Sequence, residues 1–217
     1  IITVAGKDKP GFKDAWGTEA LFSLPISLAI SSSGELYVAD QGNHRIRRIA
    51  TDGFVTTLAG TGQAGYQDGK YSQFNYPSGV AVDEKDNVYV SDFYNHRIRR
   101  IATDGEVSTV AGGEWGFEEG DAQQARFYSP HGLSLDSSGN LYIADTWNHR
   151  IRKLTPQGQV STIAGVGKLL FEGQGFFDAL ATKAYFNFPK DVLITPQGQL
   201  YVADSENNRI RSLFVSN

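Results

Sequence analysis

The chain has 217 residues, of which 40% are hydrophobic and 20% charged, and its formal net charge is −4. This composition is typical of a folded globular protein; it offers no surplus of Lys and Arg for nucleic-acid phosphates and no apolar run of the roughly 20 residues that cross a membrane. Because the chain has no cysteine, disulfides, thiolate metal sites and cysteine nucleophiles are excluded.

The first predicted element is a short apolar strand at residues 2–6, and a fourfold repeat follows it. Each repeat has an apolar run that ends in aspartate, two variable residues, and then Asn-His-Arg-Ile-Arg or a close variant. The aspartates are Asp40, Asp92, Asp145 and Asp204, which lie 52, 53 and 59 residues apart. A period of this size indicates a repeat architecture. Residues shared by all repeats are therefore expected to form the scaffold, and function is expected where the repeats differ.

Each repeat is predicted to contain four short strands. In the second repeat these strands lie at residues 79–83, 87–92, 97–101 and 106–112. Alternating apolar and β-favouring residues indicate the strands, and clusters of Asp, Asn, Ser and Gly separate them. Four-stranded antiparallel units repeated along a chain are typical of the blades of a β-propeller.

The two ends of the chain are predicted to complete the last blade together. Fourth strands occur at residues 55–60, 107–112 and 160–165, whereas the last repeat stops after its third strand. Residues 2–6 match the missing strand and would cover two exposed sheet edges. The predicted fold is therefore all-β: one propeller domain of residues 1–217 with four four-stranded antiparallel blades, the last closed by the N-terminal strand. The alternative is a four-blade arc completed by another chain.

The repeats resemble those of the NHL repeat family. The similarity rests on the core Tyr-Val-Ala-Asp-x-x-Asn-His-Arg-Ile-Arg-x-Ile, the fourth strand Asp-Gly-x-Val-x-Thr-x-Ala-Gly and the first strand Pro-x-Gly-x-Ala-x-Asp. It covers essentially the whole chain, although Asn208 replaces the histidine in the fourth repeat. The resemblance implies a propeller, usually with more than four blades, in a family that includes protein-binding scaffolds, RNA binders and a metal-dependent lyase group.

Residues that recur in every repeat are expected to be structural. His44, His96 and His149 occupy one blade position, so a ring of blades would keep them apart, whereas zinc needs three or four ligands at about 2 Å. Each imidazole is expected to form a hydrogen bond near a turn. The recurring aspartates are expected to accept backbone N–H groups and to pair with an arginine such as Arg45 or Arg97.

The predicted binding residues are those that differ between repeats. The hairpin between the second and third strands carries Phe93 and Tyr94 in the second repeat and Trp147 in the third, so these aromatics are expected to act as loop anchors or as a recognition platform. His131 and Lys190 follow the proline of an innermost strand, where a polar contact to a ligand is predicted. Partners for a catalytic metal at His131 are missing from the sequence, so neither a metal site nor a cofactor is predicted.

A further prediction concerns an insertion in the fourth repeat. Residues 166–172 are apolar at their centre and contain Leu169, Leu170 and Phe171. An exposed apolar loop on one blade favours a heterologous contact with another copy of the chain, so these three residues are predicted to mediate self-association.

These observations predict a non-catalytic interaction module that binds a protein or glycan partner through its loop-rich face. One alternative is a structural subunit of an extracellular or surface assembly, and another is a metal-dependent enzyme of the lyase or lactonase type. No G-x-S-x-G elbow or P-loop spacing supports catalysis. A secreted or cell-surface location is expected from the absent initiator methionine and the habitat of the family; neither nucleic-acid binding nor membrane insertion is expected.

Overall fold

The computed structural model describes residues 1–167, 178 and 180–215, and Leu169, Leu170 and Phe171 lie outside these described residues. The fold is all-β and consists of four antiparallel sheets, each of which is one propeller blade, so the predicted fold class is confirmed. None of the helices in the described part of the chain is long and apolar enough to span a bilayer.

The strands of each blade follow one another along the chain. The first blade contains β1 (Ala15–Trp16), β2 (Pro25–Ile30), β3 (Leu36–Asp40), β4 (Arg45–Ile49) and β5 (Phe54–Ala59), in the order β1-β5-β4-β3-β2. The second contains β6 (Pro77–Val82), β7 (Val88–Asp92), β8 (Arg97–Ile101) and β9 (Val107–Gly112), in that order. The third contains β10 (Gly120–Asp121), β11 (Pro130–Leu135), β12 (Leu141–Asp145), β13 (Arg150–Leu154) and β14 (Gln159–Ala164), in the order β10-β14-β13-β12-β11. The fourth contains β15 (Pro189–Ile194), β16 (Gln199–Asp204) and β17 (Arg209–Phe214), in that order.

A short 3-10 helix joins the second and third strands of every blade. These helices are Gln41–Asn43, Phe93–Asn95, Thr146–Asn148 and Ser205–Asn207, and two more lie in connections, at Gly17–Glu19 and Ala181–Lys183. In the first, third and fourth blades the residue that ends the helix adopts the left-handed conformation. The hairpin tip therefore has the same backbone in these three blades, and side chains alone distinguish them.

The chain divides into two compact units, one of Ile1–Asn95 with Arg99–Thr109 and the other of His96–Ile98 with Val110–Asn217. In the first unit, Tyr37 and Ile46 of the first blade share a buried apolar cluster with Phe74 and Val80 of the second. In the second unit, the third and fourth blades share an equivalent cluster that includes Ile151. Each blade pair is thus held by apolar side chains at repeated positions.

The predicted closing strand at residues 2–6 does not form. These residues contain no strand, and the fourth blade has three strands among the described residues. The segment instead lies on the first blade, where the Gly6 N–H donates to the Gly17 carbonyl and Ala5 packs against the buried cluster that contains Val38 and Ile49. The fourth strands β5 and β14 each follow a third strand across a tight turn. Pairing of residues 2–6 with β17 would instead close a loop of nearly the whole given sequence, at a larger entropic cost.

Candidate functional site

The repeated aspartates and arginines form a buried network in each blade. Asp40 is fully buried and accepts hydrogen bonds from the Ser23 N–H (2.7 Å), Asn43 Nδ2 (2.8 Å) and the Arg47 guanidinium (2.7 Å). Asp92, Asp145 and Asp204 make the same set of bonds in the other blades. The predicted scaffold role of the aspartates is confirmed.

The predicted arginine partners were Arg45 and Arg97, and here the prediction is wrong. The partner is the arginine two residues later, Arg47 in the first blade and Arg99 in the second. Both candidates lie on the same face of the third strand, and the loops decide between them. Carbonyl groups of the preceding loop accept from the Arg47 guanidinium, while Arg45 donates to the Thr61 carbonyl (2.7 Å).

The repeated histidines join consecutive repeats, which confirms their predicted structural role. Nδ1 of His44 accepts from the Tyr76 N–H (3.2 Å), and the same bond joins His96 to Ser129 and His149 to Phe188, both at 3.1 Å. Each donor residue has a positive φ of 48 to 54°. The imidazole therefore fixes the strained residue that enters the next blade.

Acid is expected to weaken these three contacts, because Nδ1 accepts a hydrogen bond only while it is unprotonated. Burial lowers the pKa of His44, His96 and His149 from the ordinary value of 6.5. Between the lowered pKa and 6.5, the unfolded chain binds more protons than the folded one, so the free energy of unfolding decreases as the pH falls below about 6.5. The expected loss is on the order of 1 kcal/mol after allowance for partial exposure.

Urea unfolding between pH 7.5 and 5.5 measures this effect. Asn208 occupies the same left-handed position in the fourth blade, so asparagine is compatible with this conformation and does not titrate. The triple variant His44→Asn, His96→Asn, His149→Asn is therefore expected to lose the part of the pH dependence that these three histidines contribute, while His131, whose pKa burial also lowers, keeps its own. A variant that keeps the full dependence would show that these histidines are not its source.

Aromatic side chains form a continuous strip in the second unit. Ring centroids are 5.5 Å apart for Trp115 and Tyr128, 5.3 Å for Tyr128 and Trp147, and 5.0 Å for Trp147 and Phe188. Both tryptophans are exposed, and Tyr128 and Phe188 are half-buried. We call these four residues the aromatic strip.

The backbone holds the aromatic strip in place. The Trp147 N–H donates to the Tyr128 carbonyl (3.0 Å), and the Gly116 N–H, next to Trp115, donates to the Phe127 carbonyl (3.1 Å). Two of the structural histidines contact the strip edge-on: the ring of His96 lies 5.6 Å from that of Tyr128, and the ring of His149 lies 4.7 Å from that of Phe188. The strip is thus an exposed apolar surface on fixed backbone.

The residues predicted from the sequence fall in three places. Trp147 belongs to the aromatic strip. Phe93 and Tyr94 form a separate cluster in the first unit, where Tyr94 also contacts Tyr76 at 5.3 Å. In the second unit, His131 is half-buried and is the second residue of β11, while the exposed Lys190 is the second residue of β15.

His131 and Lys190 interact with each other. Burial lowers the pKa of His131, and the nearby charge of Lys190 lowers it further. The turn that carries Trp147 reaches the same end of β15, because Thr146 Oγ1 donates to the Pro189 carbonyl (2.8 Å). Among the described residues, no group of three or more His, Asp or Glu side chains is placed to hold a metal ion.

Sequence reasoning missed Trp115, Tyr128 and Phe188. Trp115 stands in the connection between two blades, at a position that Ala64 occupies in the preceding connection. The expectation that binding residues differ between repeats applies to this position as well and would have identified Trp115. Tyr128 and Phe188 precede the proline that starts an inner strand, and nothing local marks them as neighbours of Trp147. The long-range backbone bonds bring them together.

Two relatives illustrate the similarity at the level of sequence. NHL repeat-containing protein 2 of Bos taurus is 28% identical to this chain, over 98% of the chain and 34% of that protein. Teneurin-m of Drosophila melanogaster is 29% identical over 93% of the chain and 8% of that protein. The chain thus spans about a third of the length of one relative and less than a tenth of the other.

Solved structures show the same fold at lower identity. An auxiliary nutrient binding protein from Bacteroides thetaiotaomicron matches 86% of the chain and 46% of its own, with a TM-score of 0.67 and 24% identity. A gluconolactonase from Xanthomonas campestris matches 90% of the chain and 60% of its own, with a TM-score of 0.65 and 16% identity. At these identities the likeness concerns the fold alone.

The NHL repeat pattern matches four segments of the chain, residues 22–49, 74–101, 127–154 and 186–211. Each segment begins near the inner strand of a blade and ends in or near its third strand, so the matches follow the blades of the structure. The chain therefore belongs to the NHL repeat family.

Proposed function

We propose that this protein is a non-catalytic interaction module that binds a protein partner through the aromatic strip. The observation that carries the proposal is the continuous, exposed and backbone-fixed arrangement of Trp115, Tyr128, Trp147 and Phe188. NHL propellers are often protein-interaction modules, which agrees with this function. The scaffold network beneath the strip is common to all blades, whereas the strip itself has no full equivalent in the other repeats.

The physical case rests on what such rings contribute to an interface. Trp and Tyr are enriched among the few residues that dominate binding energy, because they bury a large area and have few rotatable bonds to immobilise. Hydrogen bonds already fix the backbone at Trp147 and at Gly116 beside Trp115, so binding costs little additional ordering of the main chain. A partner with an apolar groove or loop would gain most of its affinity from these two rings.

The same surface offers little for chemistry. Two common kinds of catalytic site place a nucleophile beside a base or converge several donors on a metal. Charged residues next to Trp115 are the exposed pair Arg126 and Glu114, 3.3 Å apart, which neutralise each other. The non-catalytic assignment is therefore the one that the residues of the strip support.

Trp115→Ala and Trp147→Ala are each expected to weaken partner binding by tenfold or more, because interface tryptophans of this kind contribute about 2 kcal/mol. Peptides selected from a displayed library on the immobilised protein serve as the probe, and fluorescence anisotropy gives the Kd. Trp16→Ala is the matched control: Trp16 is 57% exposed, close to the 62% of Trp115, and lies outside the strip. Equal binding by wild type and both strip variants would refute the proposal.

A glycan is the second candidate ligand, because the exposed ring of Trp147 and the neighbouring ring of Tyr128 have similar orientations. The planes of Tyr128 and Trp147 differ by 30° and those of Trp115 and Tyr128 by 44°. Exposed rings with similar orientation can stack on the apolar faces of consecutive sugars. A glycan array probed with the wild type and with Trp147→Ala separates the two ligands: binding to sugars that depends on Trp147 would favour the glycan over the protein partner.

A further inference from the structure

Exposed and half-buried rings alternate along the aromatic strip. Trp115 is 62% exposed and Trp147 is 41% exposed, whereas Tyr128 between them is half-buried. The planes of Trp115 and Tyr128 differ by 44° and those of Tyr128 and Trp147 by 30°, so neither pair is stacked flat. Beyond Trp147, the half-buried ring of Phe188 stands edge-on at 86°. The strip is therefore ridged, with Tyr128 as the lower ring between two tryptophans.

The spacing of the two tryptophans matches one turn of a polyproline II helix. The ring of Tyr128 separates them, and its centroid lies 5.5 Å from that of Trp115 and 5.3 Å from that of Trp147. A polyproline II helix has three residues per turn and rises about 9 Å in that turn. The two steps along the strip together span about this distance, so ligand residues three positions apart can contact one tryptophan each.

The tryptophans also supply hydrogen-bond donors to a ligand on the strip. An indole has one N–H donor and no acceptor. Neither the Trp115 nor the Trp147 indole is hydrogen-bonded to the described part of the chain, and both side chains are exposed. A polyproline II segment has the complementary groups, because it has no internal hydrogen bonds and each proline has a carbonyl acceptor but no N–H. A sugar or an ordinary peptide brings donors of its own as well.

The charge near the strip favours a basic residue beside the proline-rich segment. The connection that carries Trp115 also contains Glu114 and Glu118, and both are exposed. Glu114 lies 3.3 Å from Arg126, whereas Glu118 forms no ion pair with the described residues. The main chain holds Glu118 near the strip, because the N–H of Arg126, two residues before Tyr128, donates to the Glu118 carbonyl (3.3 Å). An arginine or lysine of the ligand therefore has a carboxylate to pair with at this end.

We infer that the aromatic strip binds a proline-rich segment of the protein partner in the polyproline II conformation, with a basic residue at the Trp115 end. This inference rests on the proposed function and names the class of partner. Such a segment is already close to its bound conformation, so little conformational entropy is lost on binding. The faces of the rings are negative and attract the C–H groups beside the proline nitrogen, which carry partial positive charge. Aromatic-lined grooves are a common means of binding such segments.

Fluorescence anisotropy with an oligoproline peptide that ends in arginines tests the inference. The wild type is expected to bind this peptide about tenfold or more tightly than a peptide in which alanine replaces every proline. Trp147→Phe keeps an apolar ring but removes the N–H donor, and it is expected to weaken oligoproline binding about threefold to tenfold. Trp16→Phe is the matched control, since Trp16 is exposed and lies outside the strip. An unchanged affinity of Trp147→Phe would contradict the role of the donor.

Glu118→Gln tests the basic residue of the ligand. This change is expected to weaken binding of the arginine-bearing oligoproline about threefold and to leave binding of an oligoproline without arginines unchanged. Glu84→Gln is the matched control, because it removes the same charge from an exposed turn of the first unit. Equal effects of Glu118→Gln and Glu84→Gln would overturn the placement of the basic residue. Circular dichroism verifies that each variant is folded.

The outcomes separate this inference from the proposed function. If library peptides without proline bind through Trp115 and Trp147 while oligoproline does not, the inference is overturned and the proposed function stands. Equal affinity for the proline and alanine peptides also overturns the inference, and so does a strip that binds only glycans. If no peptide depends on either tryptophan, the proposed function fails with it.

Discussion

Asp40→Asn is expected to lower the free energy of unfolding by about 3–5 kcal/mol, because it leaves the Arg47 guanidinium buried without its closest fully buried partner. Asp40 and Arg47 are both inaccessible to solvent and lie 2.7 Å apart. An asparagine has the same shape, but its NH₂ group is a donor and would face one of the N–H donors that the Asp40 carboxylate binds. Urea unfolding at pH 7.5 measures the loss.

Asp14→Asn is the matched control for this prediction. Asp14 also contacts Arg47, at 2.6 Å, yet its side chain is 36% exposed, so solvent compensates for the lost charge and a smaller effect is expected. The double variant Asp40→Asn with Arg47→Met removes both charges and is expected to be more stable than the sum of the single losses implies. A loss from Asp40→Asn no larger than that from Asp14→Asn would contradict the prediction.

The repeat made the fold predictable from the sequence. Strand alternation, turn residues and a period of about 52 residues occur in each blade, so each prediction was supported several times over. The partner of the buried aspartate was not predictable in the same way. Arg45 and Arg47 lie on one face of a strand, and carbonyl groups from a distant loop decide which of them turns inward.

The candidate site was predictable only in part, for a related reason. Trp147 stands at a hairpin tip that varies between repeats, and this marks it in the sequence. Its neighbours Trp115 and Tyr128 come from an inter-blade connection and from the entry to an inner strand. Hydrogen bonds between segments far apart in sequence bring the three rings together, and no local pattern encodes such bonds.

Residues 2–6 resemble a fourth strand in sequence but form no strand in the structure, so the similarity predicted the local contact of this segment and not its strand pairing. The Gly6 N–H donates a hydrogen bond to a carbonyl group in the connection that follows it. Gly112 and Gly165 make the equivalent hydrogen bond at the ends of the fourth strands of the second and third blades. The sequence similarity of residues 2–6 to the fourth strands therefore correctly identified Gly6, the residue through which this segment packs on the first blade. Strand pairing depends on a neighbouring third strand, and β17, the strand that the similarity assigned to residues 2–6, is remote from them in the given sequence.

Gly60→Ala is expected to destabilise the first unit by about 3 kcal/mol or more, through backbone strain and a steric clash. Gly60 follows the fourth strand of the first blade and has a φ of +99°, where an L-residue is strained. A Cβ at this position would lie 2.6 Å from the His44 carbonyl oxygen and 3.1 Å from the Arg45 Cα. Both contacts are to backbone, which cannot move aside without displacing the hairpin that carries His44.

Gly53→Ala separates the two causes. Gly53 has a φ of +90°, close to that of Gly60, and a Cβ there would meet no atom within 4 Å. Its substitution is therefore expected to cost only the strain of the left-handed backbone, about 1–2 kcal/mol. The difference between the two variants in urea unfolding measures the clash alone. If the two variants lose the same free energy of unfolding, the structure relaxes around the new methyl group at position 60. The close contact between Gly60 and the turn that carries His44 would then not be important for the stability of the blade.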